Sequence, residues 1–289
     1  MVFIAKTNFC FKDKTLTKQI YLDMAIKIKT AEEIELIRKS CMLLSLTIAE
    51  VAKHVKAGTN GLVLDKLAEE FIRDHGGKPS FKGYHGFPNS LCISVNDDVV
   101  HGIPNAIAYK EGDIVSVDCG VFMNGFHGDM AYTFGIGNLK PEVEKLMRVT
   151  KESLFIGIEQ ATAGKRTGDI GFAIQEYCER KNPYKCVREL VGHGIGRTLH
   201  EDPQVPNYGR KGDGARLPEN CVIAIEPMVN MGKKDIYTKK DNWTIATQDG
   251  TPSVHFEHTV LVKPLKAELL TSYTEIEAAM QANSELAKV

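Results

Sequence analysis

Thr30-Ala31-Glu32-Glu33 has the form of a capping box, in which a threonine hydroxyl and a glutamate side chain satisfy each other's free amides at a helix start. Ile37, Cys41, Leu44, Ile48, Val51 and Val55 then recur at three- and four-residue steps, which predicts one buried helical face running to Ala57-Gly58. A second helix follows through Leu64, Leu67, Ala68, Phe71 and Ile72 and stops at His75-Gly76-Gly77. The plan returns in the second half. Pro141 suits a first helical position, Val143, Leu146, Met147, Leu154, Phe155 and Ile158 mark a long helix, and Ala163-Gly164 ends it. Ile170, Ile174 and Tyr177 then stand 106 residues after Leu64, Ala68 and Phe71, and Glu176 stands as far after Glu70. The echo suggests an internal duplication, although two amphipathic helices of similar length resemble each other by composition as well.

Apolar runs bounded by turn residues at 91–95, 113–122, 130–135, 222–230 and 254–263 read as strands. Helices and strands segregate in blocks, so the expected class is α+β with a largely antiparallel sheet rather than a βαβ winding. Residues 264–289 read as a terminal strand edge followed by a polar helix. Residues 1–28 lack an amphipathic period and carry Lys6, Lys12, Lys14 and Lys18; they are expected to form an appended arm, with 29–289 as one catalytic domain. Met24 opens MAIKIKT, a plausible alternative beginning.

Composition narrows the function classes. Against 37 acidic residues stand 36 Lys and Arg, a net charge of −1, so no global field recruits nucleic acid or an anionic membrane. The seven cysteines are scattered with no CxxC pair, which favours a reducing cytoplasm over a disulfide frame or a structural zinc knuckle. No apolar run approaches the length of a membrane span, and neither GxGxxG nor GxxxxGK[ST] occurs.

The chemistry rests on acids in apolar surroundings. Asp118 ends Ile114-Val115-Ser116-Val117, where a lone carboxylate costs several kcal/mol to bury unless it is paired or bound to a cation. Gly125-Phe126-His127-Gly128 is the expected hairpin turn that brings Asp129 back beside it. Two aspartates alone are better read as turn caps. Glu226 after Val222-Ile223-Ala224-Ile225, and Glu257 within Val254-His255-Phe256-Glu257-His258, add an acid to each of two further strand-like segments. His193, between Gly192 and Gly194, adds an imidazole to which backbone can approach closely. Four carboxylates and one imidazole can hold two divalent ions about 3.5–4 Å apart, with Co, Mn, Fe or Zn suited to the ligand set.

Ordered along the chain, Asn96-Asp97-Asp98-Val99-Val100-His101-Gly102-Ile103-Pro104, Val117-Asp118, Gly125-Phe126-His127-Gly128-Asp129, Gly192-His193-Gly194-Ile195-Gly196-Arg197, Ile225-Glu226-Pro227 and Phe256-Glu257-His258-Thr259 resemble the motifs of the methionine aminopeptidases. The resemblance runs from about Met24 to Val262. It implies the pita-bread fold, with two pseudo-symmetric halves. It also implies two divalent ions, with Asp129 and Glu257 bridging, His193 and Glu226 on one and Asp118 on the other. A metal-activated water would attack the first peptide carbonyl, Glu226 would shuttle the proton, and His101 and His200 would contact the substrate amide and stabilise the tetrahedral intermediate. The methionine side chain would lie among Phe81, Tyr84, Phe87, Cys92, Leu199 and Trp243, with His85 at the rim.

Only 31 residues separate Glu226 from Glu257, too few for the helical insert of the type 2 class, so the resemblance is to type 1. Phe81 and Leu199 depart from the residues many relatives carry, which bears on pocket shape. The implied partners are nascent polypeptides beginning with Met and a small residue, with transient ribosome contact, on a monomer in the cytoplasm. The nearest rival is a proline-specific aminopeptidase of the same fold, and a rival of another class is a non-catalytic binding protein that keeps the fold.

Overall fold

The computed structural model describes residues 3–4 and 26–288, so most of the arm expected at 1–28 lies outside the described residues. Helix α1 (Ala31–Ala52) begins as its sequence dictates: Glu33 N donates to Thr30 Oγ1 at 3.2 Å and Thr30 N donates to Glu33 Oε2 at 3.0 Å. It ends earlier than the apolar period suggests, and Val55 reaches the core from the turn beyond. Asn60 caps α2 (Gly61–Asp74) through Val63 N.

Strands β1 (Leu91–Val95), β2 (Ile114–Met123) and β3 (Phe126–Gly135) follow, with β2 between the other two in one antiparallel ladder. The β2–β3 turn is not at 125–128. The chain reverses at Asn124-Gly125, whose φ values of 54° and 84° are left-handed as a two-residue hairpin requires. Phe126, His127 and Gly128 therefore lie in β3 itself, where a Cβ on Gly128 would meet Cys41 Sγ at 2.9 Å because α1 lies flat against the strand.

The second helix pair is α3 (Pro141–Ile158) and α4 (Thr167–Gln175). Tyr177, expected to prolong α4, falls instead in a wider π turn at Glu176–Lys181, where Asn182 Nδ2 draws on the Tyr177 carbonyl. Strands β4 (Leu190–Gly194), β5 (Glu201–Val205), β6 (Val222–Ile225), β7 (Met228–Asn230), β8 (Ser253–His255) and β9 (His258–Leu261) carry the second half of the site, and shorter strands at Asp98–Val100, Ile236–Thr238 and Ile245–Thr247 pair in a sheet beside them. The expected runs at 222–230 and 254–263 are each split. β6 pairs β9 with Ile225 opposite His258, and β7 pairs β8 with Met228 opposite His255, so the breaks at 226–227 and 256–257 face each other. Every named strand pair among the described residues is antiparallel. Phe3–Ile4 forms a two-residue strand beside Leu190 and Val191.

One apolar cluster joins both helix pairs to these strands, from Leu44 and Ile48 through Leu64 and Val117 to Ile170, Ile174, Ile223 and Val260. Residues Ile28 and Lys29 are tied to the body by a bridge to Cys221 and a bond from Lys29 N to Asn220 O at 2.9 Å. Helix α5 (Thr274–Ala282) buries Ile276, Ala279 and Met280, and Asn283 Nδ2 donates to the carbonyls of Ala52 and Val55 at the end of α1. No helix among the described residues is long and apolar enough to cross a membrane.

Candidate active site

The hairpin register puts both aspartates on one face of the β2–β3 ribbon. Asp129 stands opposite Gly120 and Asp118 opposite Ala131, so the two acids are diagonal neighbours. Gly120 matters here, since a Cβ at that position would meet the Phe81 ring at 2.7 Å. The facing breaks bring Glu226 and Glu257 out of their ladders into the same interior. β4 supplies His193. The glycines beside it serve the sheet rather than the ring: a Cβ on Gly192 would lie 2.3 Å from Ala224 O, and one on Gly194 2.2 Å from Asp202 O.

All five predicted ligand residues are almost wholly buried. One donor atom each from Asp129, His193 and Glu257 lie within 4.8 Å of one another, close enough to share a metal ion. His193 Nε2 is 3.8 Å from Asp129 Oδ2 and 3.6 Å from Glu226 Oε1, which joins Glu226 to the group. Asp118 and Asp129 perturb one another directly. His193 Nδ1 donates to Gly194 O at 2.9 Å, which fixes the tautomer and leaves the Nε2 lone pair facing the carboxylates.

Burial raises the carboxyl pKa of Asp118, and raises those of Asp129, Glu226 and Glu257 well above the ordinary range, with repulsion from neighbouring acids adding to the last three. Burial also lowers His193 to about 3. Every charge in the cluster is therefore costly without a counter-ion. Both carboxylate oxygens of Asp129 and of Glu226, and Oε1 of Glu257, are buried with no hydrogen-bond partner among the described residues. Oxygen atoms left so, around an imidazole nitrogen, fit divalent cations.

His101 and His200 border this cluster. His101 holds a left-handed φ of 59°, imposed because Gly102 is pressed against β1: Ile93 N donates to Gly102 O at 2.8 Å, and a Cβ on Gly102 would meet Ile93 O at 2.0 Å. The His200 ring lies 4.4 Å from that of His193, and Tyr84 Oη is 2.7 Å from His200 Nδ1. Burial lowers the pKa of both imidazoles, so they are neutral at physiological pH.

Phe81, Phe87, Cys92 and Leu199 are buried in one apolar cluster to which Tyr84 and Trp243 add their rings. Trp243 meets Phe87 edge-on at 5.2 Å. His85 is exposed, its ring 4.4 Å from Tyr84.

Several neighbours escaped the sequence reading. His255 is buried with Nε2 3.8 Å from Glu226 Oε2; its signal was its place two residues before Glu257. Thr259 Oγ1 donates to Asp129 O at 2.7 Å and accepts from Asp129 N at 3.2 Å, holding that residue's backbone from β9. Beneath the loop at 195–200 lies a buried ion pair, Lys29 Nζ to Glu201 Oε2 at 2.6 Å, whose carboxylate also accepts from Thr198 N at 3.3 Å. No local pattern pairs two residues so far apart along the chain.

The model of metallopeptidase family M24 matches residues 35–264. The chain is 52% identical over 246 residues to a methionine aminopeptidase of Clostridium perfringens, covering 85% of this chain and 98% of that protein. It is 46% identical over 243 residues to methionine aminopeptidase 1 of Bacillus subtilis, covering 84% and 98%. The crystal structure of a methionine aminopeptidase from Rickettsia prowazekii superposes with a TM-score of 0.84 at 39% identity, covering 86% of this chain and all of that one.

Proposed function

The chain belongs to metallopeptidase family M24, and from that premise we propose that it is a methionine aminopeptidase of pita-bread fold, releasing the initiator methionine from nascent polypeptides. The observation that carries the reading is the set of buried oxygens of Asp129, Glu226 and Glu257 that have no hydrogen-bond partner among the described residues, gathered round His193. Asp118, Asp129, His193, Glu226 and Glu257 would hold two divalent ions. When bound, such ions supply Lewis acidity, lowering the pKa of water into the neutral range and polarising a carbonyl.

The side chains divide the remaining work. Glu226 faces His193 on one oxygen and His255 on the other, a carboxylate set at the centre of the cluster to accept a proton from water and hand it to the departing amine. His101 and His200, kept neutral by burial, can donate hydrogen bonds to the scissile amide and to the oxyanion that forms from its carbonyl. Phe81, Tyr84, Phe87, Cys92, Leu199 and Trp243 offer apolar and aromatic surface to a thioether, with the exposed His85 at the rim. Substrates would present Met followed by a small residue, taken as they leave the ribosome, by a monomer. The six described cysteines are thiols, which suits a reducing cytoplasm.

The test is release of the first residue from Met-Ala-Ser and from Ala-Pro-Ala, before and after chelation and with Co²⁺, Mn²⁺, Fe²⁺ or Zn²⁺ restored singly. Cleavage of Met-Ala-Ser alone, abolished by chelator and regained with metal, is expected. Preference for Ala-Pro-Ala would instead support the proline enzyme, and turnover indifferent to chelation would remove the cations from the reaction.

A further inference from the structure

The C-terminal segment carries a residue that the mechanism above does not use. Tyr273 lies just before α5 and is buried, with its ring stacked on His258 at 3.9 Å and set edge-on to Tyr132 at 4.8 Å. Its hydroxyl reaches the break between β8 and β9. There Glu257 N donates to Tyr273 Oη at 3.1 Å, while the phenolic proton is shared between Ala131 O and Glu257 O, each 2.9 Å away. Ala131 stands two residues after Asp129 on β3, and Glu257 N also donates to Ala131 O at 3.0 Å.

We propose that Tyr273 is a positioning residue for cation binding, its hydroxyl pinning the backbone of Glu257 to the strand that bears Asp129. The inference rests on the reading of these two acids as ligands. A residue in a strand has its backbone fixed by the ladder on either side, but Glu257 lies where the ladder is interrupted, so its carboxylate direction depends on whatever else holds its peptide groups. The phenol adds a second hold on an N–H that already reaches Ala131 O and gives the C=O a donor, both through one atom. Thr259 does the corresponding work for Asp129 through that residue's N–H and C=O. The two shared-ligand candidates are thus each clamped by a hydroxyl, and the one on Glu257 is delivered by a tail that contributes no ligand. Docking of the tail, through Ser272 N to Ser45 Oγ at 2.9 Å and Asn283 to the end of α1, keeps the phenol in place.

Tyr273→Phe removes the hydroxyl and keeps the ring stack. Full-length wild type, Tyr273→Phe and Tyr132→Phe would be titrated with Mn²⁺, reading free ion by electron paramagnetic resonance, and melted in metal-free buffer. Tyr132→Phe controls for loss of a buried phenol that does not touch the Glu257 backbone. A drop of about 10–100-fold in Mn²⁺ affinity for Tyr273→Phe is the expected result, with Tyr132→Phe binding as wild type does. Two results would overturn the assignment: Mn²⁺ affinity of Tyr273→Phe equal to wild type, whatever its melting temperature, or an equal loss in both variants. Wild type that binds no Mn²⁺ at all would instead bring down the metal reading, and this inference with it.

Discussion

Replacing Lys29 by methionine should destabilise the protein more than any exposed ion-pair deletion, because the pair it breaks is dry. The Lys29 and Glu201 side chains are 4% and 3% exposed, and their charges are 2.6 Å apart. At an effective dielectric constant of about 20, that separation gives an attraction on the order of 6 kcal/mol, of which desolvation of the two ions takes back several. Deleting one partner leaves the other buried and charged, which costs about 3–5 kcal/mol. Methionine preserves the stem that packs beside Gly196, so the loss would report the charge and not the volume. The lower end of the range is expected, since Glu201 keeps Thr198 and a longer contact of 3.4 Å to Lys27. The assay is urea unfolding of wild type, Lys29→Met and Lys29→Met/Glu201→Gln at pH 7, with unchanged slope as evidence that the midpoint shift is stability. The double variant should recover at least half of the loss, because the stranded charge is gone. A single variant within about 1 kcal/mol of wild type, or a double variant no better than the single, would refute the account of a buried pair given by its geometry.

The same carboxylate gives a pH prediction. Burial opposes ionisation of Glu201, but the Lys29 ammonium, the Thr198 N–H and the Lys27 charge together outweigh it, so its pKa is held below the ordinary 4.5. The ionised form therefore adds stability above about pH 4.5 that is lost as pH falls through the lower folded value, and the advantage of wild type over Glu201→Gln should shrink across that window in urea midpoints taken from pH 6 to 3. Glu226→Gln should lower turnover of Met-Ala-Ser by about 10²–10⁴-fold in metal-supplemented buffer, and near-wild-type kcat would exclude it as proton shuttle. Gly102→Ala should cost about 1–3 kcal/mol by forcing a methyl group into Ile93 O and should lower kcat as His101 is displaced; unchanged melting and kcat would show that the loop yields freely.

What the sequence made legible was set by how local its cause is. The capping box at Thr30 and the apolar period of α1 act within a few residues, and both helix pairs form in the expected segments, although α1, α3 and α4 stop short of the expected ends. The acids were conspicuous because each ended or interrupted an apolar run. The hairpin turn was misplaced because Gly125 and Gly128 look alike in sequence; Asn124 supplies a second left-handed position, while Gly128 is needed for contact with Cys41 from another element. The split of the long strand runs was hidden for a similar reason: Glu226-Pro227 and Phe256-Glu257 become breaks only by facing each other. His255, Thr259, Lys29 and Tyr273 act through partners distant along the chain, and neither charge nor periodicity reports such pairings.

The facing interruptions at 226–227 and 256–257 have an evolutionary consequence. Beyond the last rung of the β7–β8 ladder, residues 231–252 form a hairpin of their own, Ile236–Thr238 with Ile245–Thr247, whose second strand pairs with Asp98–Val100 and whose tip at 239–244 carries Trp243. Lengthening or reshaping that tip, outside every ladder, would leave Glu226 and Glu257 where they are. The wall that chooses a side chain can thus drift while the machinery that cuts the bond stays still, so preference and power are free to be selected separately.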